Sequence, residues 1–306
     1  MALFFSILGK IFPLYLIILL GFLAGKKLRA RKETVAALLI YIIAPMVVFN
    51  GVITVKLTPG LLLLPLLFFI LCTSISLLFY TIGKRLWQDP TKNILAFAAG
   101  SGNTGYFGLP VALAIFKFDP VGIVVIAVLG LILFENTVGF YITARGHHTP
   151  KEALWRVLKL PTVYAFLLAV VLNLSKIHLG QAYGDLALAF RGAYSVLGLM
   201  IIGLGIADLQ SWELDAKFLS LTFLSKFLVW PVLMGLIIMA DHRFWHWYNP
   251  QVYQVLLLLA AVPLAANTVA YAAELKTHPD KAATAVFFST VFALFYIPLV
   301  AFIFFR

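Results

Sequence analysis

The sequence predicts an all-α polytopic membrane protein. Ten transmembrane helices form two five-helix halves of opposite orientation, an inverted 5+5 repeat whose helices 4 and 9 are broken. Three observations predict this. The 306 residues are 63% hydrophobic and 11% charged, against about 25% charge in a soluble domain. Mean hydropathy is +1.02, and the apolar runs have room for about ten spans of roughly 20–25 residues. Two of those runs are interrupted at corresponding places in the two halves, the best sequence pointer to a transporter's binding site.

The first run, about residues 3–25, lacks a basic start and has no small-residue cleavage pattern before Lys26. It reads as a permanent span, not a signal peptide. Further spans are expected at about 33–55, 60–83, 92–116, 121–144, 155–175, 186–208, 214–239, 251–275 and 281–305. Turn residues punctuate them, as in Thr58-Pro59-Gly60, Asp89-Pro90, Asp119-Pro120 and Pro279-Asp280. No polar stretch is long enough for a separate soluble domain. Fifteen Lys and Arg fall in the loops after odd-numbered spans and seven on the other side, with Lys226 inside a span. The positive-inside rule puts the fifteen in the cytoplasm and both termini outside. The formal charge of +11 is therefore about topology, and nucleic acid is not an expected partner.

The chain divides at the basic connection around residues 145–155, giving repeats of 1–148 and 149–306. Five spans per half is odd, so the halves enter the membrane in opposite senses. Lys10-Ile-Phe-Pro13 opens the first half and Lys159-Leu-Pro161 the second, and Asn103 in one broken span matches Asn267 in the other.

Residues 100–110 read Gly-Ser-Gly-Asn-Thr-Gly-Tyr-Phe-Gly-Leu-Pro, and Val262-Pro263 precedes Asn267-Thr268. Glycine and proline oppose a continuous helix. Unwound backbone inside a bilayer survives only where protein or a wet cavity satisfies it. Each break starts a half-helix near the midplane. Pro110 is expected in the first turn of the second piece, where a missing N–H costs nothing. The positive helix ends suit a carboxylate, and Asn103 and Asn267 offer both donors and acceptors. Thr104, Gly105 and Thr268 complete the expected site. A single break is as well read as a kink; two matched breaks, both with Asn-Thr, favour a site. Asn50, after Ala44-Pro45, faces either substrate or a neighbouring helix.

Ionisable residues inside spans are costly and usually partnered. Glu135 and Lys226 are both at intermediate depth. A coupling role and a structural ion pair (or a snorkelling lysine) both remain open. Glu274 and Arg191 read as interfacial. Catalytic readings fare poorly. All six histidines fall in connections or at span ends, with no His-Glu-x-x-His. The pair His242 and His246 lacks a nearby carboxylate ligand and sits among interfacial aromatics. Ala99 stands where an intramembrane serine protease motif before Ser101-Gly102 needs glycine. There is no phosphate-binding loop, and the only cysteine is Cys72. No enzyme, cofactor or metal is expected.

The block from Asn103 to Pro110, the Ala44-Pro45 span, and Val262-Pro263 with Asn267-Thr268 resemble the auxin efflux carrier family, which includes plant auxin carriers and bacterial permeases for malate or malonate. The resemblance implies that spans 4 and 9 cross at their breaks. It also implies a scaffold of helices 1, 2, 6 and 7 and a transport domain of helices 3–5 and 8–10, moving as an elevator. Asn103 and Pro110 match in one crossing span, Pro263 and Asn267 in the other. Only a short stretch, 145–155, replaces the long hydrophilic loop of the plant carriers, so a prokaryotic inner membrane is the expected home. The leading expectation is a secondary transporter of small organic anions, dicarboxylates or auxin-like acids, with proton or sodium as coupling ion and a homodimer left open. A sodium-coupled bile-acid-type symporter and an anion channel are the alternatives.

Overall fold

The computed structural model describes residues 2–144, 151, 155, 158–177, 179–208, 213–275 and 277–304. Among them all regular structure is helical: α1 Ala2–Leu28, α2 Lys32–Thr54, α3 Pro59–Leu86, α4 Thr91–Gly100, α5 Leu109–Ile115, α6 Val121–Thr143, α7 Pro161–Leu174, α8 Gln181–Ala207, α9 Ala216–Trp245, α10 Pro250–Ala261, α11 Asn267–Glu274 and α12 Pro279–Phe304. Seven of these (α1, α2, α3, α6, α8, α9 and α12) are long and apolar enough to cross a membrane. The stretch expected as span 4 is split into α4 and α5, and that expected as span 9 into α10 and α11. The sixth expected span is the 14-residue α7. Part of the connection around 145–155, with Arg145, His147, His148 and Arg156, lies outside the described residues, as do His178, Lys276 and Arg306.

Helix ends follow local chemistry. Asn249 and Asp215 cap α10 and α9 by accepting from Val252 N at 2.9 Å and Phe218 N at 3.0 Å. Proline opens α3, α7, α10 and α12, where its missing N–H costs no bond. Within α2 and α9, and just before α5, the ladder widens to a π-turn: Leu39–Ile43, Ser225–Val229 and Thr104–Gly108. Each is followed within two residues by a proline (Pro45, Pro231 or Pro110). A proline ring displaces the carbonyl four residues back, and the widened turn absorbs it. Two further π-turns, Asp241–Trp245 at the end of α9 and Glu135–Gly139 in α6, have no such proline. There Asn136 and Thr137 side chains donate to the Ile132 and Leu133 carbonyls instead.

Without a water-driven force between helices in lipid, close backbone approach carries the packing. Helix α1 lies along α8 with Gly21 against the Met200 backbone and Gly203 against the Ile18 carbonyl and the Phe22 amide. Helix α7 packs on α2, and Asn173 donates to the Val52, Ile53 and Val55 carbonyls at 2.8–2.9 Å, closing the end of α2. Large apolar side chains such as Leu20, Leu168 and Phe295 face outward, as contact with lipid tails requires.

At one end of the bundle Lys281 of α12 is buried. It donates to Asp215 at 3.0 Å and Thr91 at 3.1 Å, joining α12 to the starts of α9 and α4. Partial burial alone would raise the Asp215 carboxyl. The Phe218 amide and the Lys281 ammonium outweigh it and hold the pKa below its ordinary value.

The glycine contacts give a direct test. Gly203→Ala places a methyl group on the α1 backbone and should cost about 1–3 kcal/mol of overpacking. Gly192→Ala, on an open face of the same helix, should be neutral or gain about 0.5–1 kcal/mol. Thermal melting of the detergent-purified protein separates the two; equal melting temperatures would reject the close α1–α8 contact.

Candidate functional site

Helix α4 ends at Gly100 and α10 ends at Ala261. The two irregular stretches that follow meet directly. The Asn103 amide donates to the Pro263 carbonyl at 2.9 Å. On its own side, the Asn103 carbonyl accepts from Gly108 N at 2.8 Å and opens the Thr104–Gly108 turn. The Leu264 amide donates to Ser289 Oγ of α12 at 3.2 Å. Pro263 brings no N–H of its own, so one potential orphan donor is absent where backbone is hardest to satisfy.

A cavity of about 250 Å³ opens beside this junction. Asn103, Thr104 and Gly105 line it from one break and Ala266 and Asn267 from the other. Glu135 and Asn136 of α6, Tyr271 of α11, Tyr106, and Tyr194 of α8 complete its polar wall. The volume equals roughly eight waters of bulk liquid, the size of a small organic acid. A second cavity of about 330 Å³ shares Ile40, Tyr106, Ala266, Asn267 and Ala270 with the first and reaches Lys32 and Glu33.

The polar groups of the first cavity are unevenly satisfied. Asn267 Nδ2 donates to Glu135 Oε2 at 2.8 Å, and the Tyr271 hydroxyl donates to Asn136 Oδ1 at 3.3 Å. Asn103 is 3% exposed, and its Nδ2 has no hydrogen-bond partner among the described residues; nor has Thr104 Oγ1. A buried unpaired donor costs about 1–3 kcal/mol, so the junction holds donors suited to an acceptor from outside the protein.

The structure brings together Asn103, Thr104, Gly105, Glu135 and Asn267 around the cavity, with Pro263 at the junction beside them, and leaves Pro110, Thr268, Asn50 and Lys226 out of the cavity wall. Pro110 is buried in the first turn of α5, but the half-helix already begins at Thr104, because the π-turn precedes it. Pro263 contributes its carbonyl to the junction. Thr268 is buried as the second residue of α11 and does not line the cavity. Asn50 lines a separate cavity of about 470 Å³ with Lys56, Asn173, Lys176 and Tyr183, because the Asn50 face of α2 turns toward α7 and α8.

Of the readings left open for Glu135 and Lys226, a mutual ion pair is not formed. Glu135, 3% exposed, is bonded to Asn267. Lys226, 0% exposed, places its Nζ over the Trp230 ring at 4.3 Å and against Gly102. Similar depth does not set which face of a helix a residue takes. Tyr106, Asn136, Tyr194 and Tyr271 were not expected at the site. Asn136 alone had a signal, in its adjacency to Glu135; the tyrosines look like ordinary apolar-face residues.

A family model described as membrane transport protein matches residues 147–301. The chain belongs to the auxin efflux carrier family. The match takes in the second break and Lys226, and the first break lies outside it. The chain is also similar to the uncharacterized transporter MJ1031 of Methanocaldococcus jannaschii, 29% identical over 112 residues. That match spans 36% of this chain and 36% of the relative's length. The family is one of membrane transport proteins, and the seven long apolar helices fit a lipid bilayer.

Gly105 holds the cavity against α8: a Cβ there would lie 2.7 Å from the Tyr194 hydroxyl. Gly105→Ala should lower thermal stability, and Tyr194→Phe should recover most of the loss. Contacting residues couple by about 0.5–3 kcal/mol; strict additivity in the melting temperatures of the four proteins would reject the contact.

Proposed function

We propose that this protein is a secondary carrier of small organic anions, with the carboxylate bound at the junction of the two broken helices. The observation that carries the reading is the buried, unpartnered side-chain amide of Asn103, a residue that lines a cavity of organic-acid size. The amides opening the Thr104–Ile115 segment lie at the same place, where the positive helix end favours an anion. Dicarboxylates and auxin-like acids are the substrate class.

The frame is ten membrane segments in two inverted halves, 1–148 and 149–306, in a prokaryotic inner membrane with both termini outside. A scaffold of α1, α2, α7 and α8 faces a moving body made of the remaining helices, and the body carries the site across as an elevator. Among the contacts that join the two in this state are the Tyr15 hydroxyl to the Thr290 carbonyl at 2.6 Å, Arg191 to Asp119 at 2.9 Å, and Tyr194 against Gly105. Each is a single polar or van der Waals contact that a moving body exchanges for another.

Glu135 sets the coupling. Its carboxylate occupies the Asn267 amide that a substrate carboxylate needs, and two carboxylates repel in so dry a place. Protonation of Glu135 releases Asn267 to the substrate. Transport is therefore linked to a proton.

Two experiments test this. Asn103→Ala removes a hydrogen bond to a charged group, worth roughly 1.5–3 kcal/mol, so binding of a carboxylate should weaken about 10–100-fold with membrane insertion intact. Wild-type affinity in both Asn103→Ala and Asn267→Ala would place the site elsewhere. In reconstituted vesicles Glu135→Gln should keep counterflow exchange of substrate while losing accumulation driven by a pH gradient. Unchanged gradient-driven accumulation would remove Glu135 from the coupling.

A further inference from the structure

The cleft that Asn50 lines measures about 470 Å³ and also carries Lys56, Lys176 and Tyr183. It lies where α2 and α7 end and α8 begins. Helices α2 and α8 are long enough to cross a membrane, so this end of them stands at the level of the lipid headgroups. The volume falls within the ordinary range of ligand sites, about 300–1,000 Å³.

Two local structures bring the lysines to the cleft. Asn173 holds the last carbonyls of α2 and so fixes the segment with Lys56 beside the end of α7. Helix α7 then closes with two bonds. The Ile177 amide donates to the Leu172 carbonyl at 3.0 Å, and the Lys176 amide to the Asn173 carbonyl at 2.9 Å. This closure needs a left-handed residue at position 176, ordinarily glycine. Lys176 stands there with a φ of 57°. A charged side chain is kept where glycine would carry less strain.

The lysines have no counter-charge of their own. No carboxylate lines the cleft, and none of the ion pairs among the described residues involves Lys56 or Lys176. Both belong to the seven basic residues on the sparsely charged side of the chain. Tyr183 is held edge-on by Phe49, ring to ring at 5.9 Å, and its hydroxyl is buried with no hydrogen-bond partner among the described residues. The rest of the rim is apolar and open: Ile177 and Leu179 are 46% and 40% exposed. Positive charge, a spare donor and an apolar rim together match a phosphate diester with acyl chains. Basic pockets between transmembrane helices hold such headgroups.

We propose that this cleft binds the headgroup of an anionic phospholipid. Lys56 and Lys176 take the phosphate, Asn50 and Tyr183 take the headgroup hydroxyls, and the acyl chains leave past Ile177 and Leu179. A soluble anion has no use for that rim. The cleft shares no lining residue with the 250 Å³ cavity, so the inference stands independently of the transport site.

The test uses the delipidated full chain in a neutral detergent. Its probes are phosphatidylglycerol, phosphatidylcholine, glycerol 3-phosphate and inorganic phosphate. Phosphatidylglycerol should raise the melting temperature saturably by several degrees, phosphatidylcholine much less and the two soluble phosphates not at all. The pair Lys56→Gln and Lys176→Gln should abolish the rise, whereas Lys10→Gln with Lys117→Gln should keep it. Lys176→Gly should melt higher than wild type without lipid, because glycine suits the left-handed turn, and yet respond less to phosphatidylglycerol. A purely structural Lys176 would not move the two readouts in opposite directions. Native mass spectrometry should find one phosphatidylglycerol retained per wild-type chain and none in the Lys56→Gln, Lys176→Gln protein. Equal rises with both lipids, or an undiminished rise in that double variant, would overturn the proposal. So would an equal rise with glycerol 3-phosphate, which gives the cleft to a soluble anion. A rise that follows protein concentration and not lipid gives it to a second copy of the chain and overturns it as well. If the variants cannot be purified, the four probes on the wild type decide.

Discussion

The bond from the Asn103 amide to the Pro263 carbonyl joins two chains of constraint. Each broken helix exposes backbone that hydrocarbon cannot solvate, and each break supplies part of what the other lacks. The remaining demands recruit neighbours: Ser289 from α12 for the Leu264 amide, Ser225 and Trp230 from α9 for the Ala99 carbonyl. Helices α9 and α12 are therefore fixed by the needs of α4 and α10. Of the polar groups the junction leaves unsatisfied, those of Asn103 and Thr104 belong to residues that line the cavity.

The same geometry separates charge. Helices α4 and α10 end at the junction, and the half-helices beginning at Thr104 and Asn267 leave it. A pair of broken helices produces this arrangement unavoidably, because each break leaves one negative and one positive end. Fixed dipoles of this kind need no reorganisation when a charged ligand arrives, which distinguishes them from mobile surface charges. Glu135 is the one acidic group in the cavity wall. Its bond to Asn267 shows how the site treats a carboxylate that belongs to the protein itself.

Much of this was legible in the sequence, and the rest was hidden for identifiable reasons. The breaks were readable because glycine and proline act locally on the chain, and Asn103 and Asn267 stood out as polar residues beside them. The start of the first half-helix was misplaced by one turn, because a π-turn ahead of Pro110 is a response to the proline and not a property of any single residue. The partner of Glu135 was left open: depth along a helix follows from counting residues, whereas the facing side chain depends on how helices rotate against each other. Asn50 was left between substrate and a neighbouring helix for the same reason, and it turns to a cavity near Asn173. Tyr194 could not have been found, since its role comes from the missing side chain of Gly105 on a distant segment.

Cys72, the only cysteine in the chain, is fully buried, and its carbonyl lies where a side chain on Gly100 would have to go. The native thiol is thus sealed beneath the junction, out of reach of aqueous alkylating reagents. The unmodified protein consequently serves as its own silent background for site-directed labelling. A cysteine placed at Asp119 or Arg191 would carry a fluorophore or spin label alone, and distances between such labels could be followed without first rebuilding the helix ends that Cys72 supports.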